Sequence, residues 1–167
     1  RHAMLLVEAL DDREAIVRSE AARGVQRIHN SQAVPALLEA IDDDVFAIAT
    51  ERGEFDIDVR IEAAYALGQY PEGRVFEALK KALRDRSLAV NVAAASSLHY
   101  LTGEDFGVSA ADWERWGNQT TDLFANQVEY RYPVFQRERR LLEYIPLWPQ
   151  PPNEEPAPPA GLPRIEG

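Results

Sequence analysis

The sequence contains no cysteine among its 167 residues. This absence excludes disulfide bonds, zinc–thiolate and iron–sulfur sites, and catalysis by a thiol nucleophile. Histidine is scarce too, because His2, His29 and His99 are the only ones, and none stands in the spacing of a known metal motif. No local signature marks a Ser-His-Asp triad either. We therefore predict that the chain is not an enzyme and has no cofactor.

Long apolar runs are also missing. The longest mainly apolar stretch, residues 88–101, is interrupted by two serines, an asparagine and a histidine. A membrane-spanning helix needs about 20 apolar residues in succession, so we expect no transmembrane segment. The chain opens at Arg1 without an initiator Met or a signal-peptide pattern, and we expect a processed or truncated start. We therefore predict no cellular compartment from the sequence.

Basic residues are too few to balance the acidic ones. Lys and Arg number 18 against 28 Asp and Glu, which gives a formal net charge of −10. Residues 1–127 alone hold 13 basic and 22 acidic residues. Proteins that bind nucleic acids neutralise phosphates with Lys and Arg, so we predict no nucleic-acid partner. A basic protein partner, or simple solvation of an acidic surface, fits this charge better.

An internal repeat is the strongest positive signal. Residues 16–22, 58–64 and 89–95 align on Val17, Val59 and Val90, each followed by an Ala pair four residues later and an apolar residue eight later. These offsets place the apolar side chains on one face of an α-helix, and the small Ala residues let a second helix approach closely. The pattern predicts three helices that pack in equivalent positions. Asp58 and Asp85 suit the starts of the second and third.

A second amphipathic stretch follows each of these segments. The three stretches are residues 33–41, with Ser31 as the expected N-cap, then 75–83, and then 110 to about 127, with a capping box at Ser109 and Asp112. Residues 3–10 resemble the second helix of an incomplete preceding pair. The chain is thus predicted to be an array of helix pairs. Trp113 and Trp116 are expected to seal its end.

An insertion lengthens the first pair. The repeat spacing is 42 residues from Val17 to Val59 but 31 from Val59 to Val90, and the excess falls in residues 42–55. Insertions in repeat arrays map to loops that often take part in binding. The acidic side chains between Asp42 and Asp58 have no EF-hand spacing, so a solvated loop is the main interpretation and a calcium site the alternative.

The residues of the second repeat resemble the HEAT-repeat family. The pattern D-x-x-V-R-x-x-A-A-x-x-L-G is visible across residues 56–68, and the resemblance extends over roughly residues 3–118. The segment 101–107, followed by the two tryptophans, is similar to the end of the array in a group of bacterial HEAT-repeat proteins. In the third repeat Asn91 replaces the Arg and His99 replaces the Gly. The resemblance implies a two-helix scaffold for protein–protein interaction, and it implies architecture more firmly than function.

The character of the sequence changes after residue 127. Nine of the eleven prolines occur at Pro133 or later, and aromatic and Arg residues alternate before them. Aromatic and Arg side chains are typical of protein interfaces, although the same residues could pack back on the repeats. The predicted partner-binding residues of this segment are Tyr130, Arg131, Tyr132, Phe135, Arg139, Arg140, Tyr144 and Trp148.

These observations predict an all-α fold, an α-α superhelix (a HEAT-repeat solenoid) with an extended Pro-rich C-terminal arm. Residues 1–127 form about three helix pairs plus a partial N-terminal one, and residues 128–167 form the arm. The predicted function is non-enzymatic protein–protein interaction or a structural subunit of a larger assembly. The alternative is a HEAT-like lyase or ligand-holding accessory protein, with a polar pocket near Tyr65, Tyr100 or His99.

Overall fold

The computed structural model describes residues 2–42, 53–134 and 155–163. Its helices are α1 (His2–Ala9), α2 (Ala15–Arg27), α3 (Val34–Ile41), α4 (Gly53–Leu67), α5 (Gly73–Ala82), α6 (Leu88–Thr102) and α7 (Ala110–Gln119). A single 3-10 turn at Ser31–Ala33 precedes α3, and two short strands follow α7, namely β1 (Tyr132–Val134) and β2 (Glu155–Ala157). The fold is all-α, as predicted. None of the described helices combines the length and the hydropathy needed to cross a lipid bilayer.

Two layers of helices form the array. In the first layer α4 packs between α2 and α6, and in the second α5 packs beside α3 and α7. The pairs α2–α3, α4–α5 and α6–α7 are therefore the predicted repeats, and α1 packs against α2. The Ala pairs at 21–22 and 63–64 have at most 3% exposure, which lets the first-layer helices approach closely. In the third repeat the predicted pair is 94–95, but Ala95 is only partly buried and Ala93 is buried beside Ala94 instead.

The equivalent valines differ in burial. Val59 and Val90 are completely buried, whereas Val17 is 37% exposed. The predicted register is therefore correct, but the expected burial of its first member is not.

The predicted helix starts require two corrections. Asp58 is an exposed residue in the second turn of α4, because that helix begins at Gly53 and not near residue 58. The cap before the 3-10 turn is Asn30, whose side chain accepts a hydrogen bond from the Gln32 N–H at 3.1 Å, and not Ser31. Asp85 does hold the turn before α6, because its carboxylate accepts the Ser87 N–H at 2.7 Å.

The last helix is shorter than predicted. It ends at Gln119, and residues 120–127 form turns instead, with the Asp122 carboxylate accepting the Phe124 N–H at 3.0 Å. Ser109 is its N-cap residue as expected, but the predicted capping box is not formed, because the Ser109 hydroxyl donates to the Asp112 carboxylate at 2.6 Å and accepts no backbone N–H. This contact is the main reason that the pKa of Asp112 is lowered.

An aromatic cluster closes the end of the array, as predicted. Trp113 is fully buried and donates its indole N–H to the Gly107 carbonyl at 2.8 Å. The Phe106 ring meets it edge-on at 4.9 Å between centroids, and Trp116 lies 6.1 Å from both Trp113 and Phe76. These contacts remove the apolar end of α5 and α6 from water.

Candidate functional site

The described part of the arm runs along the turns that join the two helices of each pair. The Val128 N–H donates to the Tyr100 carbonyl at the end of α6, at 2.9 Å. Further along, Ala160 reaches the residues just after α2. β1 and β2 pair antiparallel, with Tyr132 opposite Ala157, and connect these two contacts. We call the surface formed by the three turns the turn edge.

Tyr130 anchors the arm to this edge. Its side chain is only 4% exposed, and its ring meets that of Tyr100 edge-on at 5.2 Å between centroids. Gly68 makes room for it, because an added Cβ there would lie 3.1 Å from the Tyr130 ring and 2.9 Å from Ser97 Oγ. Burial, followed by neighbouring phenols such as Tyr100, raises the pKa of Tyr130 well above its usual range. This chain itself covers Tyr130, which leaves the ring little surface to offer a partner.

The other predicted arm residues differ in their surroundings. Tyr132 is half-buried, and the Arg27 guanidinium lies 5.9 Å from its ring centroid. Arg131 is exposed and pairs with Glu129 at 2.6 Å. Their role in binding stays a prediction. The remaining predicted contacts, Phe135, Arg139, Arg140, Tyr144 and Trp148, lie outside the described residues.

The end of the described arm docks through its backbone. Ile28 follows α2 in an extended conformation, with φ −133° and ψ 108°. Its neighbours bond to one arm residue, because the His29 N–H donates to the Ala160 carbonyl and the Ala160 N–H donates to the Arg27 carbonyl, both at 2.9 Å. This parallel bridge satisfies two backbone groups that the end of a helix would otherwise leave to water.

A pocket of about 310 Å³ lies between the turn edge and the arm. Such a volume is at the lower end of the range for small-molecule sites. The turns after α2 and α4, the C-terminal end of α6 and the arm contribute to its walls. The lining residues are His29, Ser31, Gly68, Gln69, Tyr70, Pro71, Glu72, Tyr100, Leu101, Gln127, Val128, Tyr130, Leu162 and Pro163.

Gln69 is the most buried polar group of the pocket wall. It is 4% exposed, and its amide N–H groups donate to the carbonyls of Val25 and Ala66 at 3.0 and 3.3 Å. Among the described residues, neither Gln69 Oε1 nor His29 Nδ1 has a partner at normal hydrogen-bond geometry. An unpaired buried acceptor is costly, and the interaction of the Gln69 side chain with the His29 imidazole offsets part of that cost.

Aromatic rings fix the opposite side. The His29 ring stacks on Tyr70 at 4.9 Å between centroids. The Tyr70 hydroxyl donates to the Asn30 carbonyl at 3.1 Å and accepts the Asn30 N–H at 3.3 Å, while burial raises the pKa of Tyr70 to about 12. Burial lowers the pKa of His29, and the nearby Gln69 side chain offsets part of this effect. The neutral imidazole is thus the favoured form.

Sequence reasoning found only part of this pocket. Tyr100 lines it, but Tyr65 does not, and His99 instead places Nδ1 3.0 Å from the Glu104 carbonyl. Gln69 and Tyr70 were missed. Their signal was the aromatic residue directly before Pro71, at the turn inside a repeat.

Apolar side chains are exposed elsewhere on the array. Met4 and Leu5 on α1 have 45% and 58% exposure, and Ile16 and Val17 on α2 have 60% and 37%. On α6, Leu88 and Val92 are 67% and 47% exposed, and their spacing of four places them on one helix face. We call the first four residues the α1–α2 surface.

The acidic insertion can be described only at its margins. Asp42 forms an ion pair with Lys81 of α5, and Asp58 is exposed on α4. Within residues 2–42, 53–134 and 155–163 no group of three His, Asp or Glu could hold a metal ion. Asp43, Asp44 and Glu51 lie outside these ranges, so the predicted calcium site is untested.

A family model described as PBS lyase HEAT-like repeat matches residues 17–43 and 59–85. The matched segments run along α2–α3 and α4–α5, the two pairs whose register the valines mark. The chain therefore contains two HEAT-like repeats. No curated protein matches its sequence. HEAT repeats commonly mediate protein interactions, and the description names a type of repeat without assigning lyase chemistry to this chain.

Proposed function

We propose that this HEAT-repeat chain is a non-enzymatic protein-binding subunit of a larger assembly. The repeat family supports this proposal, because stacked helix pairs present long continuous surfaces to their partners. The net charge of −10 favours a partner with a basic rim around its contact.

The observation that carries the proposal is the α1–α2 surface. Single exposed apolar residues are ordinary, but here four large ones lie on two helices that pack against each other. Fully burying a Leu or Ile side chain stabilises by about 1.5–3 kcal/mol, so covering Leu5 and Ile16 would contribute substantially to affinity.

Affinity capture from the source organism tests the proposal. The tagged chain is compared with the double variant Leu5→Glu/Ile16→Glu and with a control, Glu20→Gln/Glu77→Gln, whose side chains are 61% and 64% exposed. We expect one protein at near-stoichiometric yield with the wild type and the control, and at least tenfold less with the double variant. Equal capture by all three, with unchanged helical circular dichroism, would contradict a binding role for this surface.

The arm has a second role in the proposal. Tyr130 and the Ala160 bridge attach it to the repeats, and we propose that its exposed residues, among them Arg131 and the more distal aromatic and Arg residues, contact the partner. The prediction for Arg131 is a loss of partner affinity on Arg131→Ala with no change in melting temperature.

The pocket beside Tyr100 favours a second candidate function, that of holding a small ligand. Its aromatic walls are the supporting feature. Native mass spectrometry of the chain purified from its source tests this candidate. A bound small molecule that is lost in Tyr100→Ala supports it, and a mass equal to that of the chain alone counts against it.

A further inference from the structure

The turn edge offers backbone groups to an extended peptide. The Arg27 carbonyl and the His29 N–H lie on either side of the extended residue Ile28, and both bond to Ala160. In β-strand addition, one extended segment pairs with another through main-chain hydrogen bonds, and any residue with a free N–H and C=O can supply them. The Ala160 side chain is exposed, so the bridge does not depend on which side chain stands at this position.

Aromatic walls stand beside these backbone groups. Tyr70, Tyr100 and Tyr130 line the pocket together with Pro71, and of the three rings Tyr100 is the one that is only partly buried. Aromatic grooves recognise proline-rich peptides because the polyproline conformation is already formed in the free peptide and loses little entropy on binding. The segment that lies against these walls is itself proline-rich, since residues 156–163 read Pro-Ala-Pro-Pro-Ala-Gly-Leu-Pro.

The chain's own segment leaves part of this surface free. Pro159 is buried, and Leu162 and Pro163 form one wall of the pocket, yet about 310 Å³ stays open beside them.

We propose that this groove recognises an extended proline-rich segment of another protein, with residues 156–163 as its intramolecular competitor. We call it the tyrosine groove and define it by the backbone of residues 27–29 and by Tyr70, Tyr100 and Tyr130. The bridge at Ala160 and the short β1–β2 ladder hold the chain's own segment, and neither lies within a helix pair, so an incoming segment displaces it without opening the pairs. The groove shares no residue with the α1–α2 surface, and the two proposals can fail independently.

Peptide binding to the full chain tests this inference. The probe is a fluorescein-labelled synthetic peptide of residues 155–163, followed by fluorescence anisotropy. Ala160→Pro removes the N–H that donates to the Arg27 carbonyl and frees the groove, whereas the matched control Ala160→Ser keeps that N–H. We expect the Kd of Ala160→Pro to be at least tenfold lower than the Kd of the wild type and of Ala160→Ser.

Two further measurements test which features of the groove and of the peptide are needed for binding. Adding Tyr100→Ala to Ala160→Pro should raise the Kd at least tenfold, because it removes an aromatic wall. A probe with its four prolines replaced by alanine should also bind at least tenfold more weakly. If the Ala160→Pro protein loses helical circular dichroism, the variant Leu162→Asp is used in its place. That substitution removes an apolar pocket wall and leaves the backbone hydrogen bonds intact.

Several results would overturn the inference. One is an equal Kd for the freed and wild-type chains, and another is equal binding of the alanine probe. A wild-type mass twice that of the monomer, lost in Ala160→Pro, would assign the segment to a second copy of the chain. A small molecule that co-purifies with the pocket would assign the groove to that ligand.

Discussion

Arg60 and Asp85 form a buried ion pair between the second and third repeats. The guanidinium Nε lies 2.9 Å from Asp85 Oδ2, and the side chains are only 6% and 7% exposed. The other Asp85 oxygen accepts the Ser87 N–H, so this carboxylate both starts α6 and binds α4. Removing one member of such a pair leaves an uncompensated buried charge.

Arg60→Met is therefore expected to lower the free energy of unfolding by about 3–5 kcal/mol. The control is Arg23→Met, whose side chain is 46% exposed and whose partner Glu62 keeps a hydrogen bond from Gln26 at 2.6 Å. We expect that control to cost less than about 1 kcal/mol. Urea denaturation measures both, and similar losses for the two variants would argue against the buried pair.

The position after each matched valine holds Arg in the first two repeats and Asn in the third. Arg18 and Asn91 both donate to the carbonyl of the residue six before them, Asp12 at 2.9 Å and Asp85 at 3.1 Å. Asn91 also donates to the Ala82 carbonyl at 2.9 Å. The replacement of Arg by Asn in the third repeat thus preserves a contact with the preceding turn, which the residue types alone could not show.

His29 should make stability depend on pH. Burial lowers its pKa in the folded chain, so the unfolded chain binds the proton more readily. Its contribution is present above the unfolded value of about 6.5 and is lost as the pH falls through the lower folded pKa. As the pH falls through this range, we expect the melting temperature to decrease, and to decrease less in His29→Gln. An identical slope in both proteins would rule out this residue as the cause.

At the scale of the helices, the small residues decide how the elements meet. Gly103 ends α6 with φ +75°, and an added Cβ would collide with the Asn126 carbonyl oxygen. Gly73 begins α5, and a Cβ added there would have no other atom within 4 Å. The two glycines therefore predict opposite responses to the same substitution.

Gly103→Ala should destabilise the chain by at least about 2 kcal/mol, from the left-handed backbone and the collision together. Gly73→Ala should be neutral or stabilise by about 0.5 kcal/mol, because alanine favours the helix. Thermal unfolding by circular dichroism distinguishes them. A Gly103→Ala protein as stable as the wild type would mean that the end of α6 is formed differently.

Helical periodicity made most of these elements predictable. Apolar residues at offsets of four and eight identified α2, α4 and α6, because one buried stripe per helix is enough to define its period. The ends were less predictable, since α4 starts before Asp58 and α7 stops at Gln119. Helix ends depend on local side-chain contacts and on neighbouring segments, which a single periodic pattern does not contain.

The register itself can be tested by matched substitutions. Val59→Ala removes fully buried methyl groups and should cost about 2 kcal/mol or more, whereas Val17→Ala, at a position 37% exposed, should cost less than about 1 kcal/mol. Chemical denaturation measures both. Equal losses would indicate that the first repeat is packed as tightly as the second.

For the whole molecule, the array could be predicted from sequence and the groove could not. The repeats bring together His29, Gln69 and Tyr100, which are about 30 to 40 residues apart along the chain, one from each repeat. Only the stacking of the pairs places them side by side. The composition of the arm indicated an interface, but it could not indicate that Tyr130 is buried against the chain's own repeats.

Site-specific photo-crosslinking in the source organism tests the proposed binding function most directly. A photoreactive amino acid at Leu5, on the α1–α2 surface, is compared with one at Glu77, an exposed position of α5. We predict one discrete crosslinked protein from Leu5 and none from Glu77. No crosslinked protein from Leu5, or the same products from both positions, would contradict the account.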